Sequence, residues 1–208
     1  MMFRDPVFTL DRKWTLAFCE ALIAADLRLE LGAETRTDRL DEELIDALYA
    51  AGFRALKVGV ESPNAEILGS HGRRPPSQAH QEQMIRYAEA RGVIVTCFFM
   101  LGLPDDTRET MQATLDYALG LGTSLANFTI CTPIPGTRFL EEVKADLTVY
   151  DWNLYDNFHP VFRNRNLSAA EIKAFQEKAL VSFYFRWGFL ERHVRQRLAF
   201  RRQHRIHP

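Results

Sequence analysis

Short apolar runs alternate along this chain with longer segments in which apolar residues recur every three or four positions. The first kind reads as buried strand and the second as amphipathic helix. Val93-Ile-Val-Thr-Cys-Phe-Phe-Met-Leu101 is the clearest strand: rich in β-branched and aromatic residues, too short to cross a membrane, and closed by the turn Gly102-Leu-Pro104-Asp-Asp-Thr107. Leu125-Ala-Asn-Phe-Thr-Ile-Cys131 repeats the pattern and ends in Thr132-Pro-Ile-Pro-Gly-Thr137. Phe53–Val60 precedes both and runs into Glu61-Ser62. A buried strand that closes on a Gly/Pro turn leaves exposed backbone at its carboxyl end, where α/β proteins bind ligands.

Helical periodicity fills the gaps. Asp11 can cap a helix whose Trp14, Phe18, Leu22 and Ala25 share one face. Leu27–Leu31 reads as a short strand closed by Gly32. Thr37 or Asp38 then caps a second helix with Asp41, Glu42 and Glu43 in its first turn, where acids suit the dipole. Its apolar face is Leu44, Ile45, Leu48 and Tyr49, and Gly52 is its C-terminal cap. Ser62-Pro63 opens a short helix, and helices from Ser77 to Arg91 and from Thr107 to Leu121 follow. With a short apolar start at Met1–Arg4, this predicts five strands separated by helices. Such alternation implies parallel strands and right-handed crossovers. A complete eightfold barrel takes about 250 residues, so the pattern predicts either an open sheet or part of a barrel.

Beyond Gly136 the character changes. Gly136–Ala145 reads as a short helix, and Val149–Phe162 is irregular and aromatic, with Tyr150, Trp152, Tyr155 and Phe158. Ser168-Ala-Ala-Glu171 is a capping box that opens a long helical region divided by Gly188. The domain reading is a barrel portion over residues 1–145 and a helical extension over 146–208.

Composition narrows the function classes. At 208 residues and 47% hydrophobic, the chain can bury one good core. A net charge of −1 provides no global field for nucleic acid or membrane. No run approaches a membrane span and no signal-peptide pattern opens the chain, so the expectation is a cytoplasmic protein with neither nucleic acid nor membrane as partner. The three cysteines, Cys19, Cys97 and Cys131, lie far apart in apolar runs and read as buried core thiols. From Arg186 to Pro208 the chain carries Arg186, Arg192, Arg195, Arg197, Arg201, Arg202 and Arg205 against Glu191, a basic end that reads as a solvated helix terminus or a contact for RNA, acidic lipid or an acidic partner. His71, His80 and His159 lack ligand spacing and read as surface histidines.

The carboxyl ends of the expected strands supply the candidate site: Asp5, Glu34 with Arg36, Glu61 with Ser62, and the Gly102–Pro104 and Pro133–Thr137 turns. Two carboxylates, an arginine and two backbone turns on one rim suit a zwitterionic, ribose-bearing ligand. A carboxylate holds an ammonium, an arginine forks onto a carboxylate, and a second acid bonds sugar hydroxyls. Glu61 is the strongest candidate, because an acid ending so apolar a strand is costly to bury without partners.

In order along the chain, Phe3-Arg-Asp5-Pro-Val-Phe8-Thr9, Glu34-Thr-Arg36-Thr-Asp38-Arg-Leu40-Asp41, Gly59-Val-Glu61-Ser62, Gly102-Leu-Pro104 and Pro133-Ile-Pro-Gly136-Thr137 resemble the second to sixth strand segments of radical S-adenosylmethionine (SAM) enzymes. The resemblance is to members that carry a cobalamin-binding domain. The tail, Asp151-Trp152 through Ser168 and Phe183-Tyr184, is similar to the extension of the subgroup containing the anaerobic magnesium-protoporphyrin ester cyclase. It implies an α/β fold, a partial parallel (β/α) TIM-like barrel of about strands two to six plus a C-terminal helical extension. It also implies SAM as cofactor: Asp5 facing the amino group, Arg36 the carboxylate, Glu61 the ribose with Ser62 beside it, and Gly102, Pro104, Pro133 and Gly136 near adenine. Asp105 departs from the family's usual glycine.

The family's CxxxCxxC, whose thiolates hold a [4Fe–4S] cluster that reductively cleaves SAM, is absent from this sequence. The resemblance therefore implies a truncated chain (a fragment, a mis-called start codon or a split gene), inactive alone, whose full-length form uses the cluster and cobalamin from an upstream-encoded segment. Tetrapyrrole, lipid and peptide remain open as small-molecule substrate classes. The alternatives are a non-catalytic module binding SAM, a tetrapyrrole or a partner protein, and an RNA-associated protein using the arginine-rich end.

Overall fold

A computed structural model describes residues 1–70, 76–186, 189 and 191. His71, Gly188 and the basic stretch from Arg192 to Arg205 lie outside the described residues. The order is α1 (Arg12–Ala24), β1 (Leu31–Arg36), α2 (Glu42–Ala50), β2 (Phe53–Glu61), α3 (Ala65–Ser70), α4 (Gln78–Ala90), β3 (Ile94–Leu101), α5 (Arg108–Leu121), β4 (Leu125–Ile130), α6 (Arg138–Val143) and α7 (Ala169–Tyr184). The sheet has four parallel strands in the order β1-β2-β3-β4. Each strand follows its predecessor through a helix, the arrangement of a partial (β/α) barrel.

Two expectations about the first strands need correction. The Met1–Arg4 segment is not a full strand: it makes one parallel bridge, Met2 to Gly32, with Phe3 N–H donating to the Gly32 carbonyl at 2.8 Å. The second strand is not Leu27–Leu31 but Leu31–Arg36, so Gly32 lies within it rather than closing it. A Cβ at Gly32 would come within 2.6 Å of Met2 Cε, and the glycine marks a close approach, as glycine in a strand often does. Glu34 and Arg36 therefore sit on the strand itself.

The helix starts obey local capping chemistry, with shifts of a few residues. Asp11, Ser77, Thr107 and Ser168 accept the expected backbone N–H groups, and Ser168 with Glu171 forms the capping box. Asp41, not Thr37 or Asp38, caps α2, because Thr37–Arg39 forms a separate 3₁₀ turn. Asn64 Oδ1, not Ser62, accepts from Ile67 N–H at the start of α3, at 3.1 Å. On α1 the buried positions are Thr15 and Cys19, while Trp14 remains 52% exposed and stacks on Phe18 with ring centroids 5.1 Å apart.

One face of the sheet is buried beneath helices. Leu56, Val58, Val95, Cys97, Phe99, Ala126 and Phe128 alternate on it and join one core with Leu44, Met111, Leu115 and Phe183. Phe99 stacks on Phe128 at 5.3 Å and Phe128 meets Phe183 of α7 at 6.1 Å, so the last helix shares the main core. Burying each such side chain contributes roughly 2–3 kcal/mol. A second core, containing Leu68, Leu103, Cys131, Val143, Val161 and Phe162, joins residues 143–162 to the carboxyl ends of the strands.

The outer edge of β4 is closed by hydrogen bonds. Tyr184 Oη donates to the Ala126 carbonyl at 2.6 Å and accepts from Ala126 N–H at 3.2 Å. Gln176 Nε2 donates to the Phe128 carbonyl at 2.8 Å, and Ile130 N–H donates to the Asn157 carbonyl at 2.7 Å. These groups would otherwise template another strand, so the extension ends the sheet at β4.

Candidate functional site

The second face of the sheet is half-exposed and chemically mixed. Cross-strand register places Glu34 beside Lys57 and Thr96, Arg36 beside Gly59, Phe98 and Asn127, and Met100 beside Thr129. All are partly exposed except Arg36, which is exposed, whereas the alternate residues are buried. This period-two split separates a half-exposed, polar face from a core face.

Glu61 ends β2 on this side. The pairing to β3 slips between Gly59 and Glu61, and Glu61 takes φ +68°, a left-handed value rare for a side-chain-bearing residue. Its Oε1 lies 3.3 Å from where a Cβ on Gly59 would stand, so the bare glycine leaves room for the carboxylate to fold back over the sheet. A bulge with a strained residue re-aims a side chain at a strand end.

Arg36, directly across from Gly59, forks onto Asp38: Nε donates to Oδ1 and Nη2 to Oδ2, both at 2.8 Å. The pair shows the bidentate geometry the guanidinium would offer a ligand carboxylate. Glu34 Oε1 lies 3.0 Å from Arg4 Nη1 and 3.4 Å from Lys57 Nζ, placing two cations on one carboxylate oxygen. Asp5 is exposed on the segment running beside β1, which is anchored again where Phe8 N–H meets the Glu34 carbonyl at 2.9 Å.

The remaining predicted positions divide. Ser62 is buried, its Oγ 3.2 Å from Thr114 Oγ1 on α5 and accepting from Asn64 N–H at 3.2 Å, so it braces the rim from behind. Gly102, at φ +73°, follows β3 and presses against α7, where a Cβ would meet Ile172 Cγ2 at 2.9 Å. Pro104 and Pro133 are buried, while Gly136, at φ +82°, is exposed with open space around it. The structure thus brings Arg36 and Glu61 together on neighbouring strands, with the Gly102 turn at the next strand end. Ser62 faces inward, and Gly136 lies several residues past β4.

The turn after β3 does not offer free backbone, as the sequence had suggested. Leu103 N–H donates to the buried Asp106 carboxylate at 2.9 Å, and Thr110 Oγ1 donates to it at 2.7 Å. Burial raises the Asp106 pKa, opposed by the hydrogen bonds from Thr110, Leu103 and Gly102. Sequence reasoning missed Asp106 and the polar positions of β3 and β4. A strict period-two reading of Lys57, Gly59, Glu61, Thr96, Asn127 and Thr129 within apolar strands would have found the last set. A groove of about 560 Å³ between α5 and α7, lined by Met111, Leu167 and Phe175, lies on the helix side, away from this face.

The cysteines do not fit a metal centre. All three are buried and dispersed, and burial pushes the Cys19 thiol up to about 11 and the Cys97 thiol up to about 12, away from the thiolate a ligand must be. No cluster of three or more His, Cys, Asp or Glu suited to a metal occurs among the described residues. The residues present therefore do not fit a [4Fe–4S] cluster. The open face carries Arg36, Gly59 and Glu61 instead. Among the described residues no helix is long and apolar enough to cross a membrane.

A parallel sheet whose strands alternate with helices defines a barrel-type α/β class, and comparison with known proteins identifies which. The Radical SAM superfamily model matches residues 8–118, and the chain belongs to that superfamily. Among curated relatives, an uncharacterized methyltransferase of Pyrococcus horikoshii is 30% identical over 88% of this chain and 40% of its own length. The anaerobic magnesium-protoporphyrin IX monomethyl ester cyclase of Cereibacter sphaeroides is 27% identical over 89% of this chain and 32% of its own. The chain therefore spans well under half the length of the curated relatives it matches. Among solved structures, the radical SAM methyltransferase TsrM of Kitasatospora setae, with cobalamin and a [4Fe–4S] cluster bound, superposes with a TM-score of 0.64 at 23% identity, covering 69% of this chain and 28% of that one. Its fold is shared. The cobalamin and the cluster are those of that protein.

Proposed function

We propose that these residues form the SAM-binding portion of a cobalamin-dependent radical SAM enzyme acting on a small molecule. The observation that carries this reading is Glu61, which at φ +68° folds its carboxylate over Gly59, the residue that pairs with Arg36 on the next strand. Backbone strain of this kind persists where a side chain must be aimed. In this reading Glu61 bonds the ribose hydroxyls, Arg36 exchanges Asp38 for the SAM carboxylate, and Asp5 takes the ammonium. Gly102, Pro104, Pro133 and Gly136 flank the adenine, and Ser62 holds the rim through Thr114. Residues 1–145 supply the barrel face and 146–208 support it. The cluster and cobalamin come from residues outside this sequence, so the 208-residue chain does not cleave SAM by itself. The non-catalytic module is the same binding face without a supplied cluster.

Equilibrium binding of SAM to this chain tests the assignment. Glu61→Ala should weaken SAM by roughly 1–3 kcal/mol, the scale of a lost charged hydrogen bond, without a large loss of stability. If Glu61→Ala unfolds the protein while the surviving fraction binds SAM normally, Glu61 is a structural acid and the assignment fails. Anaerobic incubation with iron and sulfide should give no stable [4Fe–4S] absorption band; a stable band would overturn the claim that the cluster is held elsewhere.

A further inference from the structure

Four consecutive carbonyls of the turn after β3 are taken by three residues of the C-terminal extension. Asn164 Nδ2 donates to the Leu103 carbonyl at 2.5 Å, and Arg165 N–H to the Pro104 carbonyl at 3.0 Å. Asn166 Nδ2 reaches the Asp105 and Asp106 carbonyls at 3.2 and 3.3 Å. Arg165 also pairs with the Asp105 carboxylate. Loop carbonyls ordinarily face water, and a run so completely drawn to one short segment fixes the shape of the turn.

The clamp is itself built rigidly. Asn164 is only 5% exposed, and its Oδ1 accepts from Asn166 N–H at 2.7 Å and Leu167 N–H at 2.8 Å. The side chain thus orders its own segment with one end and grips Leu103 with the other. Five residues after Leu167, Ile172 of α7 packs against Gly102 closely enough that a Cβ there would stand 2.9 Å from its Cγ2. From within the turn, Asp106, 1% exposed, holds Leu103 N–H. Leu103 is therefore held through its N–H by the turn and through its carbonyl by the extension.

We propose that Asn164 and Asn166 are positioning residues: through the carbonyls of Leu103 to Asp106 they hold the Gly102–Pro104 rim in its ligand-binding shape, making the extension a determinant of SAM affinity. This rests on the SAM reading above. A rim fixed before binding pays no ordering cost when the ligand arrives. An extension that only packs for stability would leave affinity in the folded molecule untouched.

Two variants of the full 208-residue chain separate these cases. Asn164→Asp keeps the Oδ1 acceptor that orders residues 166 and 167 but replaces the donor facing the Leu103 carbonyl with an oxygen. Asn166→Ala removes the two outer contacts from an exposed position. SAM affinity by equilibrium dialysis, urea denaturation, and amide hydrogen exchange at Leu103, Asp105 and Asp106 are measured together. Each variant should bind SAM roughly fivefold to tenfold more weakly, the scale of a lost hydrogen bond or two, with faster exchange at those amides. The urea midpoint of Asn166→Ala should stay close to that of the unsubstituted chain. Unaltered SAM affinity per folded molecule in both variants overturns the proposal. Failure of the unsubstituted chain to bind SAM instead removes the SAM reading, and unaltered exchange at the three amides removes the clamp.

Discussion

Glu61 should carry a measurable stability cost, and two substitutions isolate it. Its φ of +68° lies in the left-handed region, where a side chain with a Cβ costs roughly 1–2 kcal/mol relative to glycine. Replacing it with glycine relieves that cost but gives the unfolded chain more freedom, worth about 0.5–1 kcal/mol against folding. Replacing it with alanine keeps the strain. Both variants lose the carboxylate and whatever it bonds, so those contributions cancel when the two are compared. Glu61→Gly should then exceed Glu61→Ala in stability by about 0.5–1 kcal/mol, which for a chain of this size is roughly 1–4 °C in Tm. Urea denaturation with thermal melts measures the difference. SAM affinity should fall alike in both, since each lacks the acid. If the glycine variant is no more stable than the alanine variant, the strain is not real and the argument from backbone geometry to a ligand-aimed carboxylate collapses.

Two further outcomes follow from the same rim. Gly102→Ala should destabilise by about 2–4 kcal/mol, combining left-handed strain with overpacking against Ile172. Adding Ile172→Leu, which removes the γ2 methyl, should recover part of that loss in urea denaturation; no recovery would show that backbone strain alone is responsible. Burial raises the Asp106 pKa in the folded state, so the folded protein holds a proton that the unfolded chain releases, and stability contributed at this site falls as pH rises from the ordinary aspartate range. Asp106→Asn should lose that slope above the ordinary aspartate range, and a steeper slope in the variant would contradict the sign.

Much of the fold was legible because its signals are local. Helices and strands announce themselves through periodicity, and caps such as Asp11, Thr107 and Ser168 act within a few residues of themselves. The rim turns were visible for the same reason, since Gly102 and Pro104 punctuate the end of an apolar run. The misplacement of β1 shows the limit. Gly32 looks like a terminator in sequence, yet its purpose is to admit Met2, thirty positions away. The candidate site divides along the same line. Glu61, Arg36 and the turn are legible as residue types at strand ends, but nothing in the neighbourhood of Ser62 reveals its partner Thr114.

By itself the sequence determined the class of fold, the succession of elements, the family resemblance and the acid at the end of β2, all carried by residues close together in the chain. Tertiary structure alone decided the rest. It set the left-handed turn of Glu61 over Gly59, the fork of Arg36 onto Asp38, the closing of β4 by Gln176 and Tyr184, and the grip of Asn164 and Asn166 on the β3 turn. Most of these join groups dozens of residues apart, and even the close pairs depend on which backbone conformation the packed fold imposes. Periodicity and turn propensity encode interactions within a few residues, whereas distant hydrogen bonds exist only once the core has brought their partners together.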